Sequence, residues 1–204
     1  MTRPLDLIVA SASPRRRELL ERLGLSLRIA PVDLDETPVE KEVARDYVQR
    51  MASEKCEEAV LRLGPTPLGI LAADTIVVLR GAILGKPTDE AHAAAMLRDL
   101  AGHRHEVLTA YKLALGERRV ARVVETFVDF RSLDAHEITA YLASGEWQGK
   151  AGAYAIQGIA SAFVSQIRGS FTNVVGLPVA EVVADLRALG ALPNYPPPAF
   201  GEAA

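Results

Sequence analysis

The sequence predicts an α/β protein, and three observations carry that prediction. Leu5, Leu7, Ile8 and Val9 form an apolar run that ends in Ala-Ser-Ala-Ser, and Leu19, Leu20 and Leu23 then follow at helical spacing. That pattern reads as strand, tight turn and helix. Residues 68–79, LGILAADTIVVL, are nearly all apolar, the mark of a central strand buried on both faces. Between these two runs Val43, Tyr47, Val48, Met51, Ala52, Cys56, Ala59 and Val60 recur at the helical period, which predicts a long amphipathic helix.

The totals narrow the function classes. The chain has 204 residues, enough for one large α/β domain or two small lobes with a sizeable core. A net charge of -3 gives no general drive toward nucleic acid or an anionic membrane, so basic residues that matter must act locally. No basic stripe is interleaved with aromatics, which argues further against nucleic acid. The single cysteine, Cys56, excludes an intrachain disulfide framework and a cysteine zinc site. No apolar run is long enough to span a bilayer. MTRPLDLIVA is too short in its apolar part, and too soon charged, for a signal peptide. The expected location is therefore the cytoplasm. No repeat or linker marks a boundary, so residues 1–192 are expected as one domain, with a loose Pro-rich tail at 193–204.

The first helix start is anomalous. Ser13 stands at the N-cap and Pro14 at the first helical position. Arg15, Arg16 and Arg17 then fill the first turn, where the helix end is already partly positive. Each exposed guanidinium is misplaced there by about 0.3–1 kcal/mol. Arg16 even occupies the place where an acidic residue would complete a capping box. An anion bound at this end would remove the penalty. Free backbone N–H groups, the Ser11 and Ser13 hydroxyls and the arginines together suit a phosphate. Arg16 shares the inward stripe of Leu19 and Leu20, Arg15 flanks it, and Arg17 falls with Glu21 as a solvated ion pair.

The remaining elements follow in order. Residues 25–31 read as a second strand, and the acidic loop DLDETP at 33–38 reads, taken alone, as a solvated turn. Lys55 lies on the edge of the long helix's apolar stripe, where a lysine either snorkels outward or points into a cleft. Cys56 is on the buried side and reads as a small core residue. Gly-Pro-Thr-Pro at 64–67 turns the chain into the apolar run, which Asp74 interrupts. A carboxylate there is expensive unless it is paired, bound to metal or facing a cleft. Thr75 is its neighbour, and a regular strand turns the two to opposite faces. Joint action on one ligand would then need a bend or a strand end. Arg80-Gly81 reads as a hairpin turn, and Lys86 sits on a stiff loop between Gly85 and Pro87 that suits a phosphate. A helix is expected at about 89–100.

His103, Arg104 and His105 open a long antiparallel hairpin that turns at Gly116-Glu117 and runs on through 120–130. With no third ligand nearby, the two histidines read as structural. A helix over 134–143 carries the capping box Asp134 and Glu137. GKAGAYAIQG at 149–158 then offers small residues that allow close backbone approach, with Lys150 and Gln157 as polar endpoints. The Gln157 amide both donates and accepts, so it can read the edge of a base. A strand over 162–167 follows. Asn173, or the turn around it, leads to a last helix containing Val182, Val183, Leu186 and Leu189.

Seven motifs now stand in order: ASASPRRRELL, DLDET, ASEK, ADTIV, GKP, GKAGAYAIQG and VVGLPV. Together they resemble the Maf family, the septum-formation-inhibitor-like nucleoside triphosphate pyrophosphatases, over about residues 5–189. The resemblance implies a mixed central β-sheet with flanking helices and two lobes around a deep cleft, inosine-triphosphatase-like, and a homodimer. It implies hydrolysis between the α- and β-phosphates with a divalent metal, Mg²⁺ or alternatively Mn²⁺. It places the catalytic aspartate at Asp74 and phosphate contacts at Ser11, Ser13, Arg16, Lys55 and Lys86. The metal would be held by Asp74 with Asp35 or Glu36. Arg15, Thr75 and Gln157 occupy the positions that separate substrate branches, and this combination resembles the branch acting on dTTP and UTP. The branch acting on 7-methyl-GTP resembles Trp, Gln and Glu there. Ala72-Ala73 stands before Asp74 in place of the more usual Gly-Ala. The competing reading is a nucleotide-binding regulator of cell division that binds in the same cleft without cutting.

Overall fold

The computed structural model describes residues 5–193, 195 and 196, so the expected Pro-rich tail lies almost wholly outside the described residues. The chain begins with β1 (Leu7–Val9), α1 (Pro14–Glu21), β2 (Leu27–Ile29), α2 (Ala44–Leu63) and β3 (Gly69–Leu79). β1 lies between β2 and β3 and pairs with both in parallel. The chain therefore winds outward from β1 to β2, then back over β1 to β3. Right-handed crossovers in opposite directions put α1 and α2 on opposite faces. The packing agrees. Leu19 and Leu20 of α1 join the core built on Leu7, Val9, Leu71 and Ala73. On the other face, Met51 and Ala52 of α2 meet Ile76 and Val78, while Cys56 and Ala59 meet Ile8, Ile70 and Ala72. Winding reverses between β1 and β3, and open α/β sheets bind ligands beyond the strand ends at such a point.

β3 is where that point becomes a site. One of its edges is covered by β5 (Arg104–Leu115), antiparallel, from Ile70 to Val78. The other edge is shared. β1 pairs with Gly69 to Leu71, and β4 (Ala82–Leu84) pairs with Val77 to Leu79. Residues 72–76 on that edge have no neighbouring strand, so the sheet carries a notch. Asp74 and Thr75 sit in it and face opposite sides, as the alternation requires. The strand neither bends nor ends there. Its neighbour stops instead, and one ligand in the notch can reach both faces.

After β4 come α3 (Glu90–Leu100), β5, β6 (Arg118–Phe130), α4 (Ala135–Ala143), β7 (Val164–Arg168), α5 (Phe171–Val175) and α6 (Val179–Ala188). The sheet order is β2-β1-β3-β5-β6-β7, with β4 on β3. The sheet is mixed and flanked by helices on both faces. β5 and β6 pair without a break from Arg104–Asp129 to Leu115–Arg118 across the Gly116-Glu117 turn. The capping box of α4 is present as expected. β7 starts later than the sequence suggests, because residues 159–163 form a 3-10 turn. Asn173 is not in a turn but inside α5, which Ser170 caps.

The two histidines are structural. His105 is buried with Nε2 2.9 Å from the Tyr154 hydroxyl, and burial pushes its pKa down to about 4. His103 Nε2 lies 2.8 Å from Arg80 Nη2. Cys56 is buried, and burial pushes its thiol up to about 11, away from nucleophilic use. Among the described residues no helix is long and apolar enough to cross a membrane.

Asp185 fastens α6 to the sheet. It is 5% exposed, and its carboxylate accepts two bonds from Arg122 and one from the Tyr111 hydroxyl, each 2.6 Å. The Arg122 bonds hold its pKa below the usual carboxylate range, outweighing burial. A depressed folded pKa gives stability that is present above the unfolded value and lost as pH falls through the folded one. Thermal melts should therefore show Tm falling as pH drops below about 4. Asp185→Asn should lower Tm at pH 7 by about 5 °C and flatten that acid dependence.

Candidate active site

A cleft of about 450 Å³ lies over the notch. The segment after β1 and the first turn of α1 bring Ser11, Ser13, Arg15 and Arg16 to it. The segment after β2 brings Asp33 and Glu36, α2 brings Lys55, and β3 brings Asp74 and Thr75. The loop after β4 brings Lys86, and residues 148–157 close the far wall with Lys150 and Gln157. Of the catalytic, phosphate-binding, specificity and metal positions expected from the sequence, Asp35 alone is not in the lining. Its carboxylate accepts the Thr37 backbone N–H at 2.9 Å and the Thr37 hydroxyl at 2.6 Å. Glu36 lines the cleft, whereas Asp35 is exposed and its carboxylate is spent on Thr37.

Lys55 ties the site together. It is 7% exposed, and its Nζ donates to Glu36 Oε1 at 2.5 Å and to Asp74 Oδ1 at 2.7 Å. The lysine points into the cleft, and the carboxylate that interrupts β3 is paired, as its burial demands. Lys86 Nζ reaches Glu36 Oε2 at 3.2 Å. Burial alone would raise the Glu36 pKa, but the bond from Lys55 and the charges of Lys55 and Lys86 outweigh it, and the net shift is downward. Tyr47 holds this loop by donating its hydroxyl to the Glu36 carbonyl at 2.8 Å. Burial, then Asp74 and Glu36, push the Tyr47 phenol up to about 12, so it stays a donor. The sequence showed Tyr47 only as one more residue of an apolar stripe.

The two arginines are braced from the far end of the chain. Arg15 Nε donates to the Val175 carbonyl at 3.1 Å, and Arg16 Nε donates to the Gly176 carbonyl at 2.8 Å. Arg16 also reaches the Ser11 hydroxyl at 2.9 Å and the Thr75 hydroxyl at 3.0 Å. Burial lowers the Arg16 pKa; Asp74 opposes this, Arg15 reinforces it and Glu36 opposes it. Burial, then Arg15, lowers that of Lys150 as well. Cations held out of water beside one another gain from an incoming anion. Arg17 pairs with Glu21 at 2.7 Å in solvent, as expected from their spacing. Ser13 occupies the N-cap position but makes no side-chain capping bond. Thr109 carried no signal in the sequence, Asn173 read only as the approach to the last helix, and Val175 and Gly176 only as part of the VVGLPV motif, because their hydrogen bonds depend on contacts far away along the chain.

Among the described residues no group of three or more His, Cys, Asp or Glu is arranged to hold a metal alone. Glu36 and Asp74 nevertheless converge on one Lys55 ammonium, and so lie within reach of one shared cation. Two carboxylates completed by substrate phosphate oxygens are a donor set that suits Mg²⁺.

Comparison with known proteins shows the family. A chain from Cereibacter sphaeroides named dTTP/UTP pyrophosphatase is 51% identical over 192 residues, covering 94% of this chain and 98% of the relative. One of the same name from Anaeromyxobacter dehalogenans is 53% identical over 189 residues, covering 90% and 94%. A HAM1 protein structure from Coxiella burnetii superposes with a TM-score of 0.51 at 14% identity, covering 91% of this chain and all of that one, and shows a shared fold. A family model described as Maf-like protein matches residues 6–189, and the chain belongs to that family.

Proposed function

We propose that this chain hydrolyses dTTP and UTP between the α- and β-phosphates, giving the monophosphate and pyrophosphate. The observation that carries the reading is Asp74 in the notch, sharing Lys55 with Glu36 beside the braced Arg15 and Arg16. Five cations, Arg15, Arg16, Lys55, Lys86 and Lys150, and three carboxylates, Asp33, Glu36 and Asp74, line the cleft. A site that only binds anions gains nothing from carboxylates against its ligand, whereas a hydrolase uses one to handle water.

The proposed roles follow from position. Arg16, with Ser11 and Ser13 at the positive end of α1, binds phosphate oxygens. Lys55 and Lys86 neutralise the leaving pyrophosphate and hold Glu36 and Asp74 in place. Asp74 orients the attacking water and takes its proton. Asp74 and Glu36 would hold a divalent cation, Mg²⁺ or Mn²⁺, which would supply charge neutralisation and a more acidic water. Arg15, Thr75 and Gln157 are the specificity positions, with Gln157 exposed in the cleft wall, where a pyrimidine edge can both donate to and accept from its amide. One domain over 1–192, a homodimer and a cytoplasmic setting complete the proposal. They rest on the family resemblance and the absence of a membrane signal in the sequence.

A Mg²⁺-dependent assay on a panel of triphosphates, separating pyrophosphate from orthophosphate, tests this directly. Pyrophosphate should appear from dTTP and UTP and little from purine triphosphates. Binding without hydrolysis of any triphosphate would favour the regulatory reading.

Asp74→Asn should cut kcat by about 10²–10⁴-fold while leaving nucleotide affinity near that of the parent; normal turnover would remove Asp74 from its role.

Arg16→Ala should weaken triphosphate binding by about tenfold or more. Arg17→Ala, which loses only a solvated pair, should leave kcat and KM unchanged and shift stability by less than about 0.5 kcal/mol.

A further inference from the structure

We infer that Thr109, in the middle of β5, is a positioning residue for Arg16, acting through Thr75; the inference rests on the phosphate-binding role proposed for Arg16. Thr109 is fully buried. Its Oγ1 lies 3.0 Å from the Asn173 carbonyl and 2.9 Å from Thr75 Oγ1, which in turn lies 3.0 Å from Arg16 Nη2. Acceptor types and distances together assign the donor at each link, since Thr75 Oγ1 lies nearer Thr109 Oγ1, at 2.9 Å, than the Gly176 carbonyl, at 3.3 Å. A carbonyl only accepts, so the single Thr109 proton is committed to Asn173. Thr109 then has only lone pairs to offer Thr75, and the Thr75 proton turns toward them. The guanidinium only donates, so Thr75 meets Arg16 with a lone pair. The chain of bonds runs one way, from Arg16 through Thr75 and Thr109 to the Asn173 carbonyl.

The end of the chain is itself held. Asn173 is fully buried, and its Nδ2 donates to the Val107 carbonyl and to Thr126 Oγ1, each at 3.0 Å. These bonds tie α5 to β5 and β6. The next residues after α5 present the Gly176 carbonyl to Arg16 Nε. Thr109 therefore fixes one Arg16 nitrogen through Thr75, while the same helix fixes another through its C-terminal end. Without Thr109, the Thr75 proton has the Gly176 carbonyl, 3.3 Å away, as its remaining acceptor. Turning the Thr75 hydroxyl toward that carbonyl would also turn the lone pair that Arg16 Nη2 meets. The expected consequence is a guanidinium that still carries its charge but is less well aimed.

The test uses inorganic pyrophosphate as the probe, read by titration calorimetry on the full chain with Mg²⁺ present. Thr109→Val, nearly equal in shape, should weaken pyrophosphate binding by about fivefold, the size of one lost neutral hydrogen bond. Thr109→Ser should restore the parent affinity. In an Arg16→Lys background, which has no planar fork to aim, Thr109→Val should cost nothing further. In dTTP assays the same variant should raise KM more than it lowers kcat. Thr109→Ala, which cannot overpack the site, serves if Thr109→Val loses its fold. Parent-like binding by Thr109→Val or Thr109→Ala, no rescue by serine, or an equal loss on the Arg16→Lys background would each overturn the inference. Binding is read without turnover, so a parent protein that binds pyrophosphate but cleaves no triphosphate would overturn the proposed hydrolysis instead.

Discussion

A strand buried on both faces has no room for a carboxylate, and β3 carries one at its centre. Asp74 is tolerated because β1 stops at Val9 and β4 begins only opposite Val77, leaving the β3 edge open between them. That opening provides the depth of the cleft and the access to both faces of one strand. It also dictates which elements supply the rest of the site. Among the described residues α2 is the helix packed on Asp74's face, so the paired cation comes from Lys55. On Thr75's face lies α1, so the partner is Arg16. The reversal of winding between β1 and β3 places those two helices on opposite sides.

The second constraint is the cost of gathering like charges. Arg15 and Arg16 lie at the positive end of α1, partly out of water, with Lys150 across the cleft. Carbonyl groups after a different helix compensate, because the α5 end directs the Val175 and Gly176 oxygens at the two Nε atoms. Anchoring the guanidiniums in this way also reduces the ordering that a ligand must impose on them. Glu36 and Asp74 play the matching part for Lys55, and Tyr47 holds the Glu36 backbone in turn. The cleft is therefore lined by an alternation of charges already held in place by protein groups. Asp185, outside the cleft lining, fixes α6, which follows directly after the segment that supplies those carbonyls.

Much of this was legible in the chain. Helical spacing identified α2 and the inward side of Arg16, and the Asp134 and Glu137 pair marked the start of α4 correctly. The apolar run placed β3, and the break in that run singled out Asp74. Other features stayed open or came out differently. Spacing left Lys55 free to point either way and left Asp35 and Glu36 equivalent. Ser13 matched the N-cap pattern but makes no capping bond.

What the sequence determined by itself is whatever depends on residues within about one helical turn or one strand repeat of each other. That includes the elements, their buried faces, the Arg17–Glu21 pair and the presence of a charged group where none belongs. The tertiary structure alone decided which groups meet across long separations. Arg16 is 160 residues from the carbonyl that holds it, and Thr109 is 34 residues from Thr75. A buried threonine in a strand reads like any β-branched residue, because its hydroxyl leaves no trace in periodicity. Only packed strands and helices show where that hydroxyl is spent, since a hydroxyl can donate or accept and its partner decides which.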